Sequence, residues 1–302
     1  MSTRPDDSLP LFGADRLAEV RPTAAGLLLG LDLRRVRDQR GIAMKMAAKA
    51  INASVSKVSR LERAVSPPDV HDVAALATWY KLPAEDRAHL EALARRAQEA
   101  EWFEPYSDYT PVWMHRLMGL EAMSVQLMTY EMKIVPGLMQ SDEYARQIIS
   151  NGLRAADGDQ VDPRVRLRQE RQRRFFDQAQ PPQATFLLDE SIIYRQVGDP
   201  QTMRGQLLKL LDFLDVPDVS IRFVPFDSAV VSNYGSMTHL VFGDGGLPPM
   251  VYIEGNDAAT YHSKTEDVER HVELMLRLSG EAAVSRRQSR SMIHKALERF
   301  SE

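Results

Sequence analysis

The feature that most constrains this chain is a set of three short helical periods packed between residues 29 and 63 and separated by two tight breaks. Leu29, Leu33 and Val36 fall at i, i+4 and i+7, one face of a helix. Gly41 ends it with a residue free to adopt a left-handed conformation. A second short helix is expected from about Ala43 to Ala50, where Ala47 and Ala48 are small enough for another helix to approach closely. Ile51, Asn52 and Ala53 then read as a tight turn, asparagine tolerating positive φ, and Ser54 is placed to cap a third helix. After Pro67 and Pro68, Asp69 caps a fourth helix carrying Val70, Val73, Leu76 and Tyr80, and a fifth runs from about Ala84 to Trp102. The expectation is a small all-α unit of about five helices over residues 23–101, preceded by a mobile tail over 1–22 that lacks a secretory signal pattern.

Net charge over the 302 residues is −4, so bulk charge announces no nucleic acid; its distribution says more. From Asp32 to Arg63 nine basic residues face three acidic ones, which gives +6 and leaves −10 on the other 270 residues. A basic module on an acidic chain is a candidate electrostatic footprint for a polyanion, the other reading being a solvated helix surface. A helical wheel at about 100° per residue turns Val58, Leu61, Glu62 and Val55 of the third helix toward the core. Ser56, Lys57, Ser59, Arg60 and Arg63 form its outer face. Short hydroxyls interleaved with cations suit a helix laid in a major groove, where arginine pairs with guanine in bidentate fashion.

The segment Leu29–Arg63, with Leu33, Arg37, Gly41, Ala48 and the run S-x-S-K-V-S-R-L-E-R from Ser54, resembles the lambda-repressor-like (XRE) helix-turn-helix family. The resemblance implies that the third helix enters the major groove of double-stranded DNA. It carries base contact onto Val55, Ser56 and Arg60, with Ser59 on the same face, and backbone contact onto Lys57 and Arg63. It also implies a structural ion pair between Arg37 and Glu62. The wheel independently turns Glu62 inward, where an unpaired carboxylate would be costly. The family places Thr-Gln at the start of helix two. Here Ala43-Met44 stands instead, so anchoring at that end passes to Lys45.

Beyond Trp102, aromatics and prolines replace helical periodicity, and a second domain is expected over 102–302. Helices are read at 111–122, 141–150, 161–179, 200–214, 265–279 and 283–300, and strands at 126–134, 184–188, 219–225, 237–242 and 250–254. A glycine-rich hairpin at Gly243–Gly246 joins the last two strands. Roughly five strands with interspersed helices imply an α+β domain, one mixed sheet covered by helices. The runs Tyr130-Glu131 through Val135-Pro136-Gly137-Leu138-Met139-Gln140 to Tyr144-Ala145, Leu188-Asp189-Glu190 to Gly198, Val224-Pro225-Phe226 and Val251-Tyr252-Ile253-Glu254 resemble the C-terminal domain of actinobacterial helix-turn-helix regulators, a domain of unassigned function. Membership implies a transcription regulator, often paired with a small partner protein.

Motifs with enzymatic mechanics are missing. The chain has no cysteine, which removes thiolate catalysis and cysteine-ligated metals and fits a reducing cytoplasm. Seven histidines are scattered without a two-ligand helical spacing. Gly235-Ser236 lacks the nucleophile-elbow frame, and Gly243–Gly246 lacks the lysine of a P-loop. No catalytic residue, metal or cofactor is therefore expected, and no apolar run approaches the roughly 18 residues of a membrane span. A ligand or partner site is expected among the polar aromatics and charges near strand ends: Tyr130, Glu131, Tyr194, Arg195, His239, Tyr252, Glu254 and Tyr261. The sequence thus reads as a cytoplasmic, homodimeric DNA-binding regulator whose second domain senses a small molecule or partner protein. The competing reading is a protein-interaction module with vestigial DNA binding, favoured by Met44 and Val55, which replace polar contacts.

Overall fold

Thr23 starts the helical unit by accepting the Gly26 amide at 3.0 Å, the cap of α1 (Ala24–Gln39). The computed structural model describes residues 23–99, 101–153, 155–230, 232, 235–243, 248–255 and 259–300. The expected tail over 1–22 and most of the hairpin at 243–246 lie outside these residues. The chain divides between Gln98 and Glu99 into two compact units.

In the first unit Gly41 closes α1 with φ +62°, and α2 (Met44–Ala50) follows without a side-chain cap at Ala43. Asn52 takes φ +51° in the turn, and Ser54 caps α3 (Val55–Glu62) by accepting the Lys57 amide. Asp69 caps α4 (Val70–Trp79) through the amides of His71 and Asp72. The fifth helix, α5 (Ala84–Arg96), stops short of the expected Trp102. Ala97 is its C-cap, and just beyond it the Gln98 side-chain amide donates to the Pro68 carbonyl at 2.8 Å. Leu29, Leu33, Val58, Val73, Leu76 and Tyr80 are among the residues that fill the core. Gly30 marks the closest approach of α1 and α3: a Cβ there would sit 2.6 Å from the Glu62 carbonyl oxygen. Only glycine allows the two backbones to meet at that spacing.

The second unit is built on a six-stranded mixed sheet. In chain order the elements are α6 (Val112–Glu121), β1 (Ser124–Glu131), α7 (Asp142–Gly152), α8 (Val161–Phe176), β2 (Gln183–Asp189), α9 (Pro200–Phe213), β3 (Val219–Val224), β4 (Met237–Phe242), β5 (Met250–Glu254), β6 (Ala259–His262), α10 (Thr265–Arg277) and α11 (Arg286–Arg299). Strand order is β3-β2-β1-β4-β5-β6. β1, β2 and β3 run parallel, and β4, β5 and β6 continue antiparallel from the other side of β1. The sixth strand corrects the expected five. β6 is four residues long and sits at the sheet edge, so it carries no apolar run to announce it. β1 ends at Glu131, not Ile134, because Val135 and Pro136 enter a turn. The Val135 amide donates to the Tyr144 hydroxyl, and its carbonyl accepts from Gln140.

Both faces of the sheet are covered. Tyr130, Leu187, Val224, Met237 and Val251 pack with Val268 and Met275 of α10. On the opposite face Thr129 and Thr238 bond across the β1–β4 pair at 3.0 Å, and the Tyr261 hydroxyl reaches the Trp113 carbonyl of α6 at 2.8 Å. The Ser289 hydroxyl of α11 accepts the Phe223 amide of β3. Among the described residues no helix is long and apolar enough to cross a membrane.

Candidate functional site

The outer face of α3 is the first site. Val58 and Leu61 are buried at its core side, while Ser56, Lys57, Arg60 and Arg63 are exposed and Ser59 is half-buried. Val55 corrects the helical wheel, being 45% exposed. It is the first residue of α3, one turn ahead of Val58, and so projects past the core contact that its angle alone implied. Arg60 makes no ion pair or side-chain hydrogen bond among the described residues, which leaves its guanidinium free. Lys57 is ion-paired with Asp72 of α4, which holds its ammonium above the usual lysine range. The Arg63 guanidinium bonds back to the Ser59 carbonyl at 3.1 Å. Lys45 is exposed on α2, and Met44, half-buried, packs against the core.

Arg37 and Glu62 lock this face in place. The guanidinium makes two parallel bonds to the carboxylate, Nε to Oε1 at 2.6 Å and Nη2 to Oε2 at 2.8 Å, and Nη1 reaches the Ile42 carbonyl at 3.1 Å. Both side chains are buried, and the Glu62 bond drives the guanidinium pKa up. One fork therefore ties α1 to the end of α3 and to the turn before α2.

The second site is a cavity of about 410 Å³ in the second unit. Its floor is Thr129, Phe186, Thr238 and Tyr252 of the sheet, and Met114, Leu117 and Glu121 of α6 and Arg168 and Arg171 of α8 lie over it. Arg171 forms a bidentate pair with Glu121, at 2.7 and 2.6 Å. Gly137 permits this, since a Cβ there would lie 3.3 Å from Arg171 Nη1. Arg168 donates to Gln140 Oε1; burial, with Arg171 beside it, lowers its pKa to about 10. At the ends of β1 and β5, Glu131 accepts the Ser236 hydroxyl at 2.5 Å and the Met132 amide at 3.3 Å, and Glu254 accepts the Tyr252 hydroxyl at 3.1 Å. Burial, with Glu254 nearby, pushes the Glu131 carboxyl up to about 7.

Of the eight residues expected to line a ligand site, the structure brings Glu131, Tyr252 and Glu254 into the cavity. Tyr261 packs tilted against Tyr252, ring centroids 5.2 Å apart, under the Arg116 guanidinium. The other four are a correction. Tyr130 is one residue from Glu131 and so faces the opposite side of the sheet, in the α10 core. His239 follows Thr238 to that side by the same alternation, and burial lowers its pKa. Tyr194 and Arg195 leave the 3₁₀ turn Glu190–Ile193 and do not line the cavity. Sequence reasoning missed Arg168, Arg171, Glu121 and Gln140. The arginine-rich α8 reads as a solvated face, but one signal was present. Arg168 stands at i+3 from Val165 and i−7 from Phe175, both buried, and therefore on the inward stripe. Among the described residues no group of His, Asp and Glu could hold a metal ion.

Residues 28–90 match a family described as a helix-turn-helix domain. Residues 114–295 match the domain of unknown function DUF5753. The chain belongs to the DUF5753 family. No curated protein and no solved structure matches it. The helix-turn-helix match supports DNA binding and transcription regulation and points away from an enzyme. The cavity, with Glu121, Glu131, Lys133, Arg168, Arg171 and Glu254 in its lining, lies within the DUF5753 span.

Glu131 in the DUF5753 domain is a carboxyl whose protonation is linked to stability. Glu131 binds its proton more tightly folded than unfolded, so its contribution is complete below about pH 4.5 and is lost as pH rises through about 7. Glu131→Gln is therefore expected to leave stability little changed at pH 5. At pH 8 it should raise stability by about 3 kcal/mol, at about 1.4 kcal/mol per pKa unit. Urea unfolding of both chains from pH 5 to pH 8 measures the gap; a constant difference would mean a well-solvated carboxylate.

Proposed function

We propose that this DUF5753 protein is a sequence-specific, cytoplasmic transcription regulator of the actinobacterial XRE type. Residues 23–101 dock on DNA, and residues 102–302 form the domain that senses an effector. The observation that carries the reading is the exposed Arg60, without a side-chain partner among the described residues, beside Ser56 and Ser59 on the outer face of α3. Arg60, Ser56, Ser59 and Val55 read bases in the major groove, and Lys45, Lys57 and Arg63 grip phosphates. Lys57 exchanges its Asp72 partner for a phosphate on binding. Two-fold operators need recognition helices about 34 Å apart, so the chain acts as a homodimer.

Fluorescence anisotropy on the duplex from the protein's own upstream region and on a scrambled duplex tests this. Affinity is expected to fall steeply with salt. Arg60→Ala should cost about 1–3 kcal/mol on the specific duplex and relax preference at one position. Lys57→Ala should weaken both duplexes alike. Arg60→Ala binding as tightly as wild type would end the recognition-helix assignment. A second reading, capture of a small partner protein, draws on the exposed apolar pair Met46 and Val55 beside that face; salt-independent, non-selective DNA binding would favour it.

A further inference from the structure

The cavity of the DUF5753 domain contains a guanidinium, Arg168, and two carboxyl groups, Glu131 and Glu254, that form no ion pair among the described residues. Arg171 is neutralised by Glu121, but Arg168 is not. Its hydrogen bond goes to the neutral amide of Gln140, and among the described residues no carboxylate lies within ion-pair distance of it. A guanidinium withdrawn from bulk water without a counterion is unfavourable, and Arg171 one helical turn away adds repulsion. On the other wall, Glu131 takes both of its hydrogen bonds on Oε2 and Glu254 takes its one on Oε2. No described cation is ion-paired with either. The two sets line one cavity, with Lys133 also in its wall, and form no ion pair across it; Glu254 acts on the guanidiniums, and Lys133 on Glu131, only through space.

We propose that this cavity binds a small zwitterion with an apolar body, an amino-carboxylate, with its anionic group on Arg168 and its ammonium between Glu131 and Glu254. A simple anion would satisfy Arg168 and leave two carboxylates facing each other; a simple amine would do the reverse. Met114, Leu117, Val135, Leu138 and Phe186 supply the apolar wall between the poles. A volume of about 410 Å³ lies within the usual range for small-ligand sites. The ligand's role as effector rests on the regulator reading above, whereas its binding does not.

Isothermal titration of the full chain, without DNA, tests the binding. The probes are two zwitterions of short and long charge separation, L-phenylalanine and 4-(aminomethyl)benzoate, with 3-phenylpropionate as the anion-only control and phenethylamine as the cation-only control. At least one zwitterion should bind, and both controls should bind at least about tenfold more weakly. Arg168→Gln and Glu254→Gln should each lose about tenfold or more for the zwitterion, and Arg168→Lys should recover part of the loss. Thermal melts of the variants confirm that they are folded, and Arg168→Lys carries the test should Arg168→Gln fail to fold. No binding by either zwitterion, equal binding by 3-phenylpropionate, or full affinity in Glu254→Gln would overturn the proposal. Since no DNA is present, such a failure leaves the anisotropy result untouched, and a failed anisotropy experiment leaves this one untouched.

Discussion

Glu62→Ala is expected to destabilise the helix-turn-helix unit by about 3–5 kcal/mol, enough to melt a small unit near ordinary temperature. The carboxylate satisfies two guanidinium N–H groups of Arg37 in a buried setting, with side chains 10% and 3% exposed. Removing it strips Nε and Nη2 of their partners and leaves the buried cation only the half-exposed Asp38 carboxylate and the Ile42 carbonyl, both on Nη1. Operator binding should fall with the fold, since the same fork holds α3 against α1. The double variant Arg37→Met, Glu62→Leu separates the two effects, because replacing both buried charges by apolar groups is often neutral or stabilising. It should regain most of the stability. Urea unfolding of the three chains, followed by circular dichroism, gives the comparison. A loss of under about 1 kcal/mol in Glu62→Ala would mean that Arg37 finds water or another acceptor.

The second large effect is expected in the DUF5753 domain. Glu121→Ala should cost about 3–5 kcal/mol by leaving Arg171 buried and unpaired. The loss should sit at the upper end of that range because Arg168 is a second cation close by. Raising salt should not rescue it, as buried charges are poorly screened. Amide hydrogen exchange on the full chain locates the damage: protection should fall in α6 and α8 and persist in α1 and α3. Uniform loss across both units, or no loss, would contradict the assignment of the pair to the cavity wall.

The helical unit was legible because each of its signals is local. Gly41, Asn52, Ser54 and Asp69 each act within a few residues, and the spacing of Leu29, Leu33 and Val58 needs no distant partner. The outward place of Val55 was not legible, since a wheel gives an angle but not where along the helix the neighbours stop. In the second unit the apolar strands were plain, and β4 and β5 fall on their expected bounds. The four-residue β6 depends on pairing with β5, a non-local fact. The cavity was half visible. Glu131, Tyr252 and Glu254 lie on strands that were recognised, but alternation divides Tyr130 from Glu131 and His239 from Thr238. The opposing arginines come from a helix whose charge density concealed its inward stripe.

The arrangement of the sheet decides which wall of the cavity can yield. β1 is the central strand at which direction reverses: parallel neighbours lie on one side and antiparallel neighbours on the other. Thr129 and Glu131 of β1, Phe186 of β2 and Thr238 of β4 therefore floor the cavity across that junction. Spreading those strands would break ladder hydrogen bonds on both sides of β1 at once, whereas α6 and α8 are joined to them by side-chain packing and can slide by shear. The sheet is the anvil. A molecule too large for the cavity is therefore expected to shift the helices before the strands.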